Sequence, residues 1–315
     1  METNALTRKR KIVWTKNKIQ LFAMASLGVI FLLVFAYTPM FGVVLAFKDG
    51  DKELNILEVI LYGDWVGFEN FTRFFFDYRF KDILFNTIGL NLLMLCINFP
   101  APIIFALILS EIRHKTYQRT IQSIAIFPTF LSWVVYGGIL LSLMDSNLGI
   151  FTPICRALKI IGPNDAINLG GLEYAWATIS ISSLMKGTGW ASVIYTAAIL
   201  GVDPELYEAA KLDGAGRFRS MISITLPSIS PMITVSLLLS ISGLLNNSFE
   251  HINVFKNAIN VSKSEVIATY VYDQGISGRM YSYTTAVGLF QSVVAFVLLT
   301  ISNFVSIKFI GKGLY

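Results

Sequence analysis

Six long apolar stretches alternate with polar connections along the chain, at about 21–47, 84–110, 121–144, 175–200, 222–247 and 284–310. They lack the polar face that a helix on a soluble core repeats every third or fourth residue. Each reaches the roughly 20 residues, at about 1.5 Å of rise apiece, that cross the hydrocarbon core of a bilayer. The pattern predicts an all-α integral membrane fold of six transmembrane helices. Pro39, Pro100, Pro102, Pro128, Pro227 and Pro231 fall within these stretches. Membrane helices tolerate such breakers because neighbouring groups satisfy the freed backbone. A basic tail, residues 1–20, precedes the first stretch. No small-x-small cleavage pattern interrupts that stretch, so it is expected to be a retained span, not a signal peptide.

The connections then fix sides. Basic residues crowd the tail (Arg8, Lys9, Arg10, Lys11) and two short connections (Arg113, Lys115, Arg119 and Lys211, Arg217, Arg219). Short basic connections stay inside, so both termini and the loop 201–221 are expected in the cytoplasm. The remaining connections, about 48–83, 145–174 and 248–283, hold most of the acids together with Trp65, Phe71, Phe74 and Tyr270. They are too long and too apolar for plain linkers and are predicted to fold as outer caps.

Composition agrees. The chain is 54% hydrophobic and 14% charged, against about 25% charged in a soluble domain. Its 24 Phe and 13 Tyr suit bilayer interfaces. The net charge of +5 is scattered beside apolar runs and forms no basic stripe, so nucleic acid is excluded as a partner and lipid headgroups are favoured. Cys96 and Cys155 stand apart, and with only two histidines no metal site is expected. No nucleophile–base constellation is visible. No G-x-x-x-x-G-K-[ST] cradle for phosphates is present either, because Gly313 follows Gly311-Lys312.

Between the fourth and fifth stretches lies a polar helix-turn-helix. Asp203 suits an N-cap and Pro204 the first helical position. The helix is predicted to run to about Leu212 and to reverse at Asp213-Gly214. Ala209 and Ala210 leave a small-residue face for close approach, Leu206 and Leu212 offer apolar contacts, and Glu208 offers a charge. Composition alone equally allows an amphipathic helix lying in the headgroup layer.

The string Glu208-Ala209-Ala210, Gly214, then Ile224-x-Leu226-Pro227 resembles the E-A-A-x-x-x-G-x(9)-I-x-L-P loop of type I binding-protein-dependent ABC importer permeases, the class of the maltose transporter's membrane subunits. Likeness extends over nearly the whole chain, through Tyr37 to Lys48, Trp65 to Phe71, Tyr270 to Gly275, Tyr281 to Phe290 and the terminal Gly311 to Tyr315. These segments are similar to the LplB-like branch of polysaccharide and oligosaccharide permeases, found mostly in Gram-positive bacteria. That branch usually ends in Trp where Tyr315 stands. The resemblance implies a type I ABC importer transmembrane domain over residues 21–315 in a bacterial plasma membrane. It implies as partners a second, similar permease (a heterodimer), two cytoplasmic ATPases that hold ATP and magnesium, and a lipid-anchored extracellular solute-binding protein. No cofactor is expected on this chain. Glu208, Ala209, Ala210, Asp213, Gly214, Leu206, Arg217 and Pro227 would couple it to the ATPase.

For a substrate path the polar groups inside spans are the candidates. Lys186 is the one basic residue in mid-span, beside Gly187, Gly189 and Trp190. It either contacts sugar hydroxyls or gates the cavity; equally, it snorkels or pairs with an acid of the partner permease. Asn91, with Asn86 and Asn98 on the same stretch, and Asn246 and Asn247 offer paired donors and acceptors for hydroxyl groups, as does Tyr283. Asn in membrane helices also serves simply to join helices. His251 is expected to be a loop residue. The function expected is ATP-driven uptake of oligosaccharides by alternating access. The alternatives are a peptide or glycerol-phosphate cargo on the same machine, or an ion-driven secondary transporter, which would carry intramembrane acids that these stretches lack.

Overall fold

The computed structural model describes residues 15–50, 55–162, 165–242 and 249–310. Most of the basic tail, Asn246, Asn247 and the terminal 311–315 lie outside the described residues. Among the described residues the chain is helical, with one antiparallel bridge, Lys48 to Trp65.

The first span is a single rod, Lys16–Phe47, built of α1 (Lys16–Leu32), a π turn (Leu33–Tyr37) and a 3-10 segment (Thr38–Phe47). The π turn sits just before Pro39, whose ring would crowd the Phe35 carbonyl and whose missing N–H cannot bond it. Widening the helix by one residue relieves that conflict. Outside the bilayer α2 (Ile56–Tyr62) and α3 (Glu69–Phe75) follow. Next, α4 (Phe80–Asn98) and α5 (Pro100–Ser110) form one span, with Pro100 at the joint.

The stretch expected at 121–144 is not one straight span. It divides into α6 (Lys115–Ile126) with a 3-10 turn (Phe127–Phe130), and α7 (Trp133–Met144), bent 105° from it. Pro128 withdraws a donor from the ladder, and Ser132 restarts it by accepting the Val135 N–H at 3.3 Å. After α8 (Phe151–Ala157) comes α9 (Ala175–Leu200), which coincides with the expected 175–200 stretch. It has the length to span, yet it is less apolar than the others. The reason is its position: Ser180, Ser182, Lys186, Ser192 and Thr196 are buried inside the protein, where a lipid-facing coat is not needed. The connection after α9 supplies α10 (Pro204–Leu212) and α11 (Arg217–Ser220). A second π turn, Met221–Thr225, precedes Pro227 just as the first precedes Pro39. Then α12 (Leu226–Ser242) leads to α13 (Phe249–Phe255), α14 (Val261–Ser264), α15 (Ile267–Tyr272) and the long α16 (Tyr281–Ile310). Among the described residues four segments are long and apolar enough to cross a membrane, or five if the bent pair is one span.

Helix α9 is the hub. Toward its Leu200 end Tyr195 and Ile199 pack with Ile103, Leu107 and Ile229; toward its Ala175 end Ile179 packs with Leu90, Tyr136 and Ile252. Against α6 the approach is so close that a Cβ on Gly189 would collide with the Ala125 carbonyl. The connections expected to form outer caps are folded around Phe74, Ile83, Ile267, Tyr270 and Tyr283. Tyr270 donates to Asp77 at 2.7 Å, and Arg79 lies 3.8 Å from Glu265. Burial holds the Glu265 carboxyl above its ordinary range although Lys256 and Arg79 flank it.

Replacing Gly189 by Val is expected to separate α6 from α9 at a cost of about 3 kcal/mol. Thermal unfolding of the purified protein in detergent will show it as a lowered midpoint; an unchanged midpoint would mean the two helices do not depend on this contact.

Candidate functional site

The segment 203–220 stands off the rest of the chain. Asp203 caps α10, its carboxylate accepting the Glu205 N–H at 2.9 Å. The helix closes with Asp213 N–H on Ala209 O at 3.1 Å and Ala215 N–H on Ala210 O at 2.8 Å. That closure needs Gly214 at φ +77°, a conformation glycine adopts without strain. No side chain of α10 is buried: Leu206, Glu208 and Ala209 are exposed, Ala210 is half-buried, and Leu212 is 91% exposed. Two side-chain links hold the segment. Tyr207 and Thr225 share a hydroxyl bond of 2.9 Å, and Arg217 lies 4.0 Å from Glu111. Pro227 is exposed at the start of α12. The result is a short, well-capped helix offering apolar, small and acidic groups outward, joined to α9 through Gly201 and Val202 alone.

Lys186 sits at a different kind of place. Its ammonium donates to three backbone carbonyls at the α6–α7 break, Pro128 at 2.9 Å, Thr129 at 3.1 Å and Leu131 at 2.6 Å. The Trp133 and Tyr136 rings lie 5.1 and 5.6 Å away. In return the Thr129 hydroxyl donates to the Lys186 carbonyl at 2.8 Å. All three ammonium donors are thus spent on the protein, and the side chain is 8% exposed. The ammonium thus joins α9 to the α6–α7 bend, an arrangement that none of the alternatives given for Lys186 described. His251, expected in a loop, is buried on α13. Its Nε2 is 3.0 Å from the Ser182 hydroxyl, and its ring stacks on Trp133 at 4.0 Å. Nothing in the hydropathy pattern announced this junction; the cue was Lys186 in mid-span together with Pro128 in the preceding one.

A cavity of about 240 Å³ opens between α4, α5, α9 and α12. Asn91, Asn98, Tyr195 and Ser240 supply its polar groups, with Met94 and Phe99 beside them. Among the described residues no charged side chain lines it. Asn98 donates to the Ser183 hydroxyl at 2.9 Å, while its buried carbonyl oxygen has no hydrogen-bond partner. Amides, hydroxyls and rings of this kind suit a neutral, hydroxyl-rich solute. Asn91 lines this cavity, and so do Tyr195 and Ser240, which the span pattern did not single out. Trp190 is 60% exposed and does not line the cavity. Tyr283 lies in the outer cap, 2.8 Å from the Tyr270 hydroxyl, and Asn86 is tied to the Ser262 and Glu265 carbonyls. Among the described residues no group of three His, Cys, Asp or Glu side chains is placed to hold a metal.

The family model described as "Binding-protein-dependent transport system inner membrane component" matches residues 75–313. Protein LplB of Bacillus subtilis (strain 168) is 38% identical over 98% of this chain and 96% of its own length. The polygalacturonan/rhamnogalacturonan transport system permease protein YteP of the same organism is also 38% identical, over 98% of this chain and 94% of its own. Among solved structures, a chain of a bacterial alginate ABC transporter, crystallised in complex with an alginate pentasaccharide-bound periplasmic protein, superposes with a TM-score of 0.83. It is 31% identical and covers 95% of this chain and 98% of its own.

Lys186→Met would leave three carbonyls at the bend without a donor, at an expected cost of about 3 kcal/mol. The loss should appear as a lowered unfolding midpoint and as faster proteolysis between α6 and α7. A variant as stable as the parent would show that the bend holds itself.

Proposed function

Because this chain belongs to the family of binding-protein-dependent transport system inner membrane components, we propose that it is the permease subunit through which an ATP-driven importer takes up oligosaccharides or polysaccharide fragments. It is a transporter subunit and not an enzyme. The observation that carries the mechanism is the capped, outward-facing α10, set between α9 and α12. A helix that buries none of its own side chains and continues one bilayer-long hub is built to pass motion from a partner into the bundle. Glu208, Ala209, Ala210 and Leu206 are its docking residues, while Asp213, Gly214 and Arg217 fix the turn. Pro227 sets the start of the next span.

In this reading six spans cross the plasma membrane, with the bent α6–α7 pair and α9 as the third and fourth and with both termini in the cytoplasm. Two ATPase subunits bind beneath, carrying ATP and magnesium. A second, homologous permease completes the path, and an extracellular binding protein delivers cargo to the outer caps. The cavity residues Asn91, Asn98, Tyr195 and Ser240 form this subunit's share of the path. Sugar is the favoured cargo because the lining is polar but uncharged and because relatives are named for polysaccharide transport. A peptide or glycerol-phosphate would ask for charged partners, which this cavity lacks.

Gly214→Val, which forces a side chain into positive φ, and Glu208→Ala are each expected to reduce uptake to background while the amount of permease in the membrane stays unchanged. Uptake at the parent rate by both variants would refute the role given to α10.

A further inference from the structure

Behind α10 lies a pocket of about 590 Å³ that the docking of an ATPase does not account for. Arg113 and Lys115 line it from the connection after α5, and Lys211 and Arg217 line it from the coupling segment. Glu111 is the only acid among the lining residues, and its 4.0 Å pair with Arg217 is exposed enough to be worth little. The first turn of α6, which begins at Lys115, carries no acid either. Two like-charged segments therefore face each other across a gap, and the lever that must transmit force leans on that gap. A multiply charged anion would turn the repulsion into a bridge.

The surroundings name the kind of anion. The pocket is formed by the ends of spans: Ser110 closes α5, Leu200 closes α9, and Thr225 precedes α12. Leu200 is 79% exposed, and Phe218 and Ile222, on the turn that carries Arg217, are exposed as well. Cations inside and apolar side chains at the rim match a headgroup with its acyl chains, whereas a free ion needs only the cations. We propose that this pocket binds the phosphate of an anionic phospholipid from the inner leaflet, and that the bound headgroup clamps the coupling segment to the connection after α5. The inference rests on the importer reading above, which places this end of the bundle at the cytoplasmic face.

The test uses the complete importer in nanodiscs of phosphatidylcholine with or without phosphatidylglycerol. It compares the parent with Arg113→Gln/Lys115→Gln and, separately, with Lys211→Gln, which leaves the topology-setting charges of the other connection in place. Native mass spectrometry reads retained phosphatidylglycerol, and ATP hydrolysis is measured with loaded binding protein. The parent should retain the lipid and hydrolyse faster in its presence. The double variant should hold it about 30-fold more weakly and lose the lipid-dependent increase while keeping the parent's rate in phosphatidylcholine, and Lys211→Gln should lie between. Equal retention by all three proteins would overturn the site, as would inorganic phosphate reproducing the increase in phosphatidylcholine, which would make the ligand a soluble anion. Retention by the permease pair alone that is lost in the complete importer would also overturn the site, handing the pocket to a carboxylate of the ATPase. Binding-protein-stimulated hydrolysis by the parent in either lipid speaks for the importer reading independently; its absence would refute that reading and not the lipid site.

Discussion

Backbone carbonyls freed inside a bilayer must find donors within the protein, because the hydrocarbon supplies none. The bend between α6 and α7 frees several, and the Lys186 ammonium meets three of them. That bond set ties the bent segment to α9, and the Thr129 hydroxyl on the Lys186 carbonyl ties it from the other direction. The rest of the arrangement follows. With α9 fixed against α6 at Gly189, Tyr136 of α7 reaches the Ser182 carbonyl at 3.1 Å. His251 of α13 then fills the space between Ser182 and Trp133. A cation at the carboxyl end of α6 also opposes the negative pole of that helix. The mid-span lysine, expensive as an isolated charge, is made affordable by this one placement.

Because α9 is a continuous helix from Ala175 to Leu200, displacement at its inner end is felt along its length. Only Gly201 and Val202 separate it from the capped α10, so a partner that moves α10 moves α9 at once. At the opposite end the Trp176 indole donates to the Lys263 carbonyl at 2.7 Å and the Thr178 hydroxyl to the Leu169 carbonyl at 2.7 Å, which carries the same rod into the folded connections. The two π turns, ahead of Pro39 and Pro227, stand in contrast. Each is a place where helical bonding is already loosened within a span, and such turns tolerate changes in twist that the tightly packed middle of α9 does not.

Element positions were legible in the sequence where lipid is the solvent. The rods at Lys16–Phe47, Phe80–Ser110 and Tyr281–Ile310 follow directly from apolar length. The cap at Asp203 and Pro204 and the reversal at Gly214 followed from local backbone chemistry, which does not depend on tertiary context. What the pattern missed depends on where protein, not lipid, is the neighbour. The 105° bend did not show in the pattern because Pro128 lies in a continuous apolar run, where a membrane helix can carry a proline without breaking. Lys186 was visible as an anomaly but its partners were not, since backbone carbonyls leave no mark in the residue types. Tyr283 looked like a path residue by its chemistry, and only packing against Tyr270 shows that the cap takes it.

The cavity and the inner pocket divide the chain's electrostatics in a way that bears on how cargo passes. The cavity offers Asn91, Asn98, Tyr195 and Ser240 and, among the described residues, no charged group, so in the proposed reading its wall would give hydroxyl groups partners without holding them by charge. Weak, replaceable hydrogen bonds suit a path, because a solute bound tightly at the centre would not leave it. The basic residues Arg113, Lys115, Lys211 and Arg217 lie instead around the coupling segment, where Glu111 alone opposes them. In the proposed reading charge is thus concentrated where force would enter and is absent where cargo would move. A permease so arranged would leave the discrimination of charged cargo to a facing subunit and to a delivering protein, and would keep for itself the conversion of a lever's displacement into a change of access.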